Sequence, residues 1–259
     1  VVDGKWRSGE LDSLKIVTWA GGTDEEIVAM VQAADAGQIN LTDYWTVGDE
    51  RTVQLSAMAA TGVGESHAAQ AVTLVLMDST CTGFTLASAT SGGKTKPSFI
   101  VGLKNSLAEA GYMNSTKSNT NGWSGCARRT WCNDVFCAAI PSTLRGIFKQ
   151  FKWKQGKGGG SSSGLLETTD YFGLAPEKAI FGSVSYAQSD EAALYAQWKW
   201  YQTASNRIKK LSDTGSAYSW WECSPRSGGS DRFCRVISSG SANTSAAFDT
   251  YGLAPFGCI

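Results

Sequence analysis

His67 is the one histidine of the chain, so any nucleophilic triad with an imidazole base would have to be built around it. It stands in Gly62-Val63-Gly64-Glu65-Ser66-His67, which lacks the G-x-S-x-G order of a nucleophile elbow, and it reads as a structural histidine. Neither GK[ST] nor a third glycine of a dinucleotide fingerprint follows Gly62-x-Gly64, so no phosphate loop is expected. Seven cysteines (Cys81, Cys126, Cys132, Cys137, Cys223, Cys234 and Cys258) could offer thiolate chemistry or metal ligation. The C-x5-C-x4-C spacing of Cys126, Cys132 and Cys137 is not that of a zinc knuckle, and neither a metal nor a cofactor is expected. An odd count does not suit a secreted disulfide framework, and the sulfurs read as buried free thiols. Asp12, Asp24, Glu25 and Glu26 lie near helix starts, where carboxylates complement the dipole, and no acids stand out as a glycosidase couple. The residues call for no catalytic centre.

The last 37 residues carry the chain's strongest compositional signal. Lys, Glu, Gln, Met and Trp number 47 in all, and every one lies at or before Glu222. Proportional use would place roughly seven of them after that point. A Gly/Ser-rich hairpin region without room for long side chains would give this depletion. So would a paratope-like surface of small adaptable residues with a few large anchors. On the second reading the contacts are Arg226, Ser227, Ser230, Asp231, Arg232, Arg235, Ser239, Ser241, Asn243, Thr244, Phe248, Asp249 and Tyr251. Residues 227–232, Arg235, 239–245 and 248–250 are then expected on one exposed face. Alternation along a strand puts Cys234 and Val236 inside and Arg235 outside.

The elements that must hold such a surface are legible in outline. Thr23-Asp24-Glu25-Glu26 followed by Ile27, Met30, Val31 and Ala34 predicts a capped amphipathic helix ending near Gly37. Residues 44–47 and 52–55 read as strands around a Gly48-Asp49-Glu50 turn, and 72–77 as a buried strand. A second helix is expected within 123–141, with Ala127, Trp131, Val135 and Ala138 at helical spacing. A third runs from Ser189 through Glu191, Leu194 and Trp198 to Tyr201. Residues 157–164 read as a flexible loop or linker. The class is α+β, a few helices beside a mainly antiparallel, loop-rich sheet. Residues 1–40 form an N-terminal strand-and-helix packing or attachment segment, and 41–259 the main domain. Lys+Arg and Asp+Glu are both 23, which argues against a nucleic-acid partner. No apolar run suits membrane insertion. The chain opens Val1-Val2-Asp3 without Met, as a processed chain or a fragment would.

Trp220-Trp221-Glu222-Cys223-Ser224-Pro225, Phe233-Cys234-Arg235-Val236, Gly240 and Gly252-Leu253-Ala254-Pro255-Phe256 resemble a W-W-x-R-S-P … G-V-R-P ending. That ending belongs to phage and bacterial proteins similar to the formylglycine-generating-enzyme branch of the C-type lectin fold. Arg129-Thr130-Trp131-Cys132-Asn133 is similar to their R-x-W-L-N helix, and the likeness covers residues 40–259. Cys223, Ala254 and Cys132 depart from the pattern, at two Arg positions and one Leu.

The resemblance implies a C-type-lectin-like fold of the formylglycine-generating-enzyme subtype, with a variable region at 223–251. Some such proteins are diversified by retroelements that mutate adenines; an Asn codon so changed cannot give Lys, Glu, Gln, Met or Trp. It further implies a receptor-binding protein on a phage virion, facing a host-cell surface protein or glycan. Other virion proteins and copies of itself, as a trimer, are its remaining partners. A structural virion protein, a bacterial surface adhesin and a formylglycine-generating-type oxidoreductase are the alternatives. Trp131, Trp220, Trp221, Pro225, Phe233, Val236, Leu253 and Pro255 are the expected scaffold.

Overall fold

The structure, a computed structural model, describes residues 14–259; Asp12 and the opening of the 1–40 segment lie outside these. Helix α1 (Asp24–Asp35) begins as the sequence predicts. Glu26 N–H donates to the Thr23 hydroxyl at 3.3 Å, and Thr23 N–H donates to the Glu26 carboxylate at 2.9 Å, a closed capping box. It ends at Gly37, whose φ of +76° a residue with a Cβ would resist. Ile27, Met30, Val31 and Ala34 enter the same hydrophobic core as the rest of the described chain.

The main sheet runs, edge to edge, β1 (Glu50–Leu55), β2 (Gln70–Asp78), β4 (Ile100–Leu103), β13 (Phe256–Cys258) and β7 (Phe172–Gly173), antiparallel throughout. The C-terminal strand is thus threaded between two earlier ones. Its Phe256 sits amid the rings of Phe84, Phe151, Trp153 and Trp198, with centroids 4.9–5.6 Å away. A second sheet joins β3 (Thr85–Leu86), β5 (Phe151–Gly156) and β6 (Leu165–Asp170). The third, β10 (Trp220–Pro225), β11 (Arg232–Val236) and β12 (Ala242–Ala246), carries the depleted segment. Among the described residues no helix is long and apolar enough to cross a membrane.

Four expectations are corrected. Residues 44–47 are not a strand: Trp45 N–H closes a turn onto the Leu41 carbonyl, and the Asp49 carboxylate accepts from Thr46 N–H at 2.8 Å. The second helix, α2, starts only at Ala127, because Cys126 is extended (φ −82°, ψ 131°) after a turn in which its N–H donates to the Trp123 carbonyl. It then passes through a π-helical stretch, Cys132–Phe136, before Cys137–Ala139. The wider turn shifts the buried face to Trp131, Phe136 and Ala139, leaving Val135 half-buried and Ala138 exposed. The expected third helix is two short turns, Ser189–Ala193 and Lys199–Gln202. Trp198 N–H donates to the Ala179 carbonyl and Lys199 N–H to the Asp78 carboxylate, bonds that an unbroken helix would spend internally. Residues 157–164 are a fastened hairpin loop, tied by Gly159 N–H to the Asn119 side chain and by Gln188 Nε2 to the Ser161 carbonyl.

Candidate functional site

The depleted segment and the start of β10 just before it divide sharply by position. Trp220, Trp221, Phe233, Cys234 and Val236 are fully buried, and Trp131, Pro225, Leu253 and Pro255 are buried with them. Each large anchor is also fixed at its polar end. Trp221 Nε1 donates to the Gly111 carbonyl at 2.8 Å, Trp220 Nε1 to the Arg207 carbonyl at 2.9 Å, and Trp131 Nε1 to the Ala59 carbonyl at 3.2 Å.

The expected contacts do not share one face. β11 pairs antiparallel with both β10 and β12, so successive turns fall at opposite ends of the sheet. Arg226, Ser227, Ser230, Asp231, Arg232, Phe248 and Asp249 gather at one end, where Ala247 N–H donates to the Asp231 carbonyl at 2.8 Å. Ser239 and Ser241 lie at the other, in the 237–241 turn. The five residues of β11 separate the two ends by roughly 15 Å. Arg235 and Tyr251 engage each other on a flank: the guanidinium lies 4.4 Å from the ring centroid, and Trp221 meets the same ring edge-on. Arg235 does face away from buried Cys234 and Val236, and Asn243 is its register partner. Thr244 is 9% exposed and faces inward opposite Cys234, so it is not a surface contact.

The first end is a built platform. Asn119, fully buried, donates from Nδ2 to the carbonyls of Gly229 and Arg232 and accepts from Gly159 N–H. Ser227 N–H donates to the Tyr186 carbonyl and Gly228 N–H to the Ser161 carbonyl. Phe248 is 46% exposed and Tyr186 39%. Sequence reasoning missed Asn119, Tyr186 and the glycine-rich loop as parts of this end; the polar run 114–121 signals a loop there and gives no hint of its partner.

The Arg129-x-Trp131-x-Asn133 helix has a concrete task. Buried Asp170 accepts from Arg129 Nε at 2.7 Å and Asn133 Nδ2 at 3.0 Å through one oxygen. Through the other it accepts from Trp153 Nε1, Trp123 Nε1 and the Thr168 hydroxyl. A carboxylate this well satisfied welds α2 to the second sheet.

A family profile described as a domain of unknown function, DUF6273, matches residues 99–259. The chain belongs to this family. Comparison with curated proteins and with solved structures gave no match. The DUF6273 segment contains β4, β7 and β13 of the main sheet, the whole third sheet and the platform, while β1 and β2 precede it.

Buried ionisable groups of the DUF6273 segment cluster beneath the third sheet. Glu177 accepts backbone N–H bonds from Ser185, Tyr186 and Ala187. Glu191 accepts from Gly156 N–H at 2.8 Å and the Ser224 hydroxyl at 2.5 Å, and burial pushes its carboxyl up to about 7. Burial, with Glu177 and Glu191 nearby, drives Glu222 well above the usual carboxylate range. Neither Glu222 oxygen has a hydrogen-bond partner among the described residues. All seven cysteines are free, six of them buried, and burial raises the Cys223 and Cys234 thiols far above an ordinary thiol. His67 is buried between Glu109, 3.1 Å from Nδ1, and Glu65, 3.7 Å from Nε2, with Arg128 bridging to Glu65 at 2.5 Å. Its ring nitrogens face carboxylates rather than a hydroxyl or thiol nucleophile. Among the described residues no group of His, Cys, Asp or Glu is arranged to hold a metal ion.

Proposed function

We propose that the chain is a non-enzymatic recognition protein, carried at the tail or another exposed site of a phage virion, that binds a host-cell surface protein or glycan. Contact runs through the platform of residues 226–232 and 247–250. The mixed, mainly antiparallel fold is read as C-type-lectin-like, of the formylglycine-generating-enzyme subtype, on the strength of the terminal motifs.

One observation carries the reading. Lys, Glu, Gln, Met and Trp are absent from exposed Arg226, Ser230, Phe248 and Thr250 positions as completely as from the buried ones. A packing constraint excludes long side chains only where space is closed. Absence at the exposed positions points instead to the DNA, where adenine mutation of Asn codons omits these five residues. The fold suits such variation: buried tryptophans keep the core, and loops between them change at little cost. The raised, buried thiols of Cys223 and Cys234 support a binding role over a thiol oxidoreductase, which needs a reachable thiolate. Several copies on one particle would offset weak single contacts.

Sequencing the DNA around the gene tests this. A reverse-transcriptase gene and a near-copy of the tail-coding stretch, differing at adenines, are expected. Their absence, with identical tails across sister isolates, would overturn diversification.

A further inference from the structure

A cleft of about 370 Å³ opens between β2, the exit of β4, residues 200–208 and the hairpin of β8 (Lys209–Lys210) and β9 (Ala217–Tyr218). None of its lining residues belongs to the 223–251 segment. It adjoins the 237–241 turn, since a Cβ on Gly240 would meet Ile208 of the cleft wall at 3.0 Å. The length of β11 therefore separates it from the platform, and nothing assigned so far uses it.

Its floor is a fixed hydrogen-bond frame. Asp213 accepts from the Thr73 hydroxyl at 2.8 Å on one oxygen and from Asn105 Nδ2 at 2.9 Å on the other. Asn105 Oδ1 is held by Lys210 N–H at 2.9 Å, and Asn206 Nδ2 by the Trp200 carbonyl at 2.9 Å. Each Asp213 oxygen keeps a lone pair, and Asn206 keeps its amide oxygen. Two carboxylate oxygens with one free lone pair each suit adjacent hydroxyls on a ring. Half-buried Trp200 and exposed Ile208 supply apolar wall for the C–H face of that ring.

Charge narrows the ligand. Lys104 is paired with Glu50 at 2.8 Å, which leaves Lys210 and Asp213 nearly balanced. A phosphate would meet the Asp213 carboxylate, and an amine would meet Lys210. The volume lies near the lower end of small-molecule sites, roughly 300–1,000 Å³. We propose that this cleft binds a neutral sugar of one or two rings, independently of the platform.

Saturation-transfer NMR of the full chain with methyl glycosides of the common hexoses and N-acetylhexosamines tests the proposal. At least one glycoside is expected to saturate, with millimolar affinity. Asp213→Ala should weaken it tenfold or more, and so should Ser205→Trp, which fills the cleft from an exposed position without touching the frame. Arg232→Ala, on the platform, should leave it unchanged. Should Asp213→Ala unfold the chain, Ser205→Trp alone decides. The proposal is overturned if no glycoside saturates, or if binding survives Ser205→Trp. Immobilised oligosaccharides ending in the same ring, run alongside, separate a glycan chain end from a free sugar as the source. Loss of host-cell binding in platform variants with sugar binding intact would leave this site standing on its own.

Discussion

Glu222 is fully buried in β10 with both oxygens unpartnered among the described residues, and Cys223 beside it occupies an arginine position of the resembled pattern. Burial first, and Glu191 and Glu222 after it, hold the Cys223 thiol up, so the cation a guanidinium would bring beside those carboxyls is missing. Stability should therefore depend on pH in a definite direction. The Glu191 carboxyl is raised in the fold from 4.5 to about 7, so the folded state binds more protons than the unfolded one between those values. Its protonated form favours the fold below about 4.5, and that advantage is lost as pH rises to about 7. At 1.36 kcal/mol per pH unit the cost is about 3 kcal/mol. Melting temperature is expected to fall from pH 5 to pH 7, below the range where Lys209, lowered to about 7 by burial, pulls the other way, and Glu191→Gln to flatten the slope and raise the value at pH 7. A wild-type curve that rises over this range would count against the buried acids. None of this was legible beforehand: Trp220 and Val236 announce burial by their type, whereas Glu177, Glu191 and Glu222 look like surface acids until the fold closes over them.

At the scale of elements, the sequence spoke clearly where signals were local. The Thr23 capping box, the Gly37 stop and the apolar run of β2 each hold within their own residues. It misled where a distant partner intervenes. Asp78 and the Ala179 carbonyl break the helix expected at 189–201, and a π-helical turn moves the buried face of α2. Composition alone describes the glycine-rich loop as slack, yet Asn119 and Gln188 fasten it. Gly158 has φ +63°, and a Cβ there would stand 2.0 Å from the Asn119 carbonyl. Gly158→Ala should therefore destabilise by about 2 kcal/mol or more, lowering the melting temperature by several degrees. A true linker would tolerate the change, and an unaltered melt would return the loop to that status.

Across the whole molecule, the described chain buries one continuous core from Trp19 to Ile259, and the C-terminal strand completes its main sheet. The depleted segment is therefore not an appendage: its anchors are core and only its turns are free. Antiparallel pairing then decides which turns work together, which is why Ser239 and Ser241 fall away from Arg226 and Phe248. Composition exposed the segment's boundary at Glu222, but register, set by pairing with β11, was needed to sort its residues. On the proposed reading, recognition rests on the platform and can be altered without altering the fold. The most direct measurement pairs two readouts on one variant, Arg226→Ala/Arg232→Ala/Phe248→Ala: binding of the labelled full chain to a panel of intact bacterial cells, and thermal melting. The expected result is tenfold or greater loss of binding on every strain the wild type recognises. The melting temperature should stay within about 2 °C, as exposed substitutions do. Unchanged binding by the triple variant would place recognition elsewhere, and a melt that collapses with it would make the platform part of the fold.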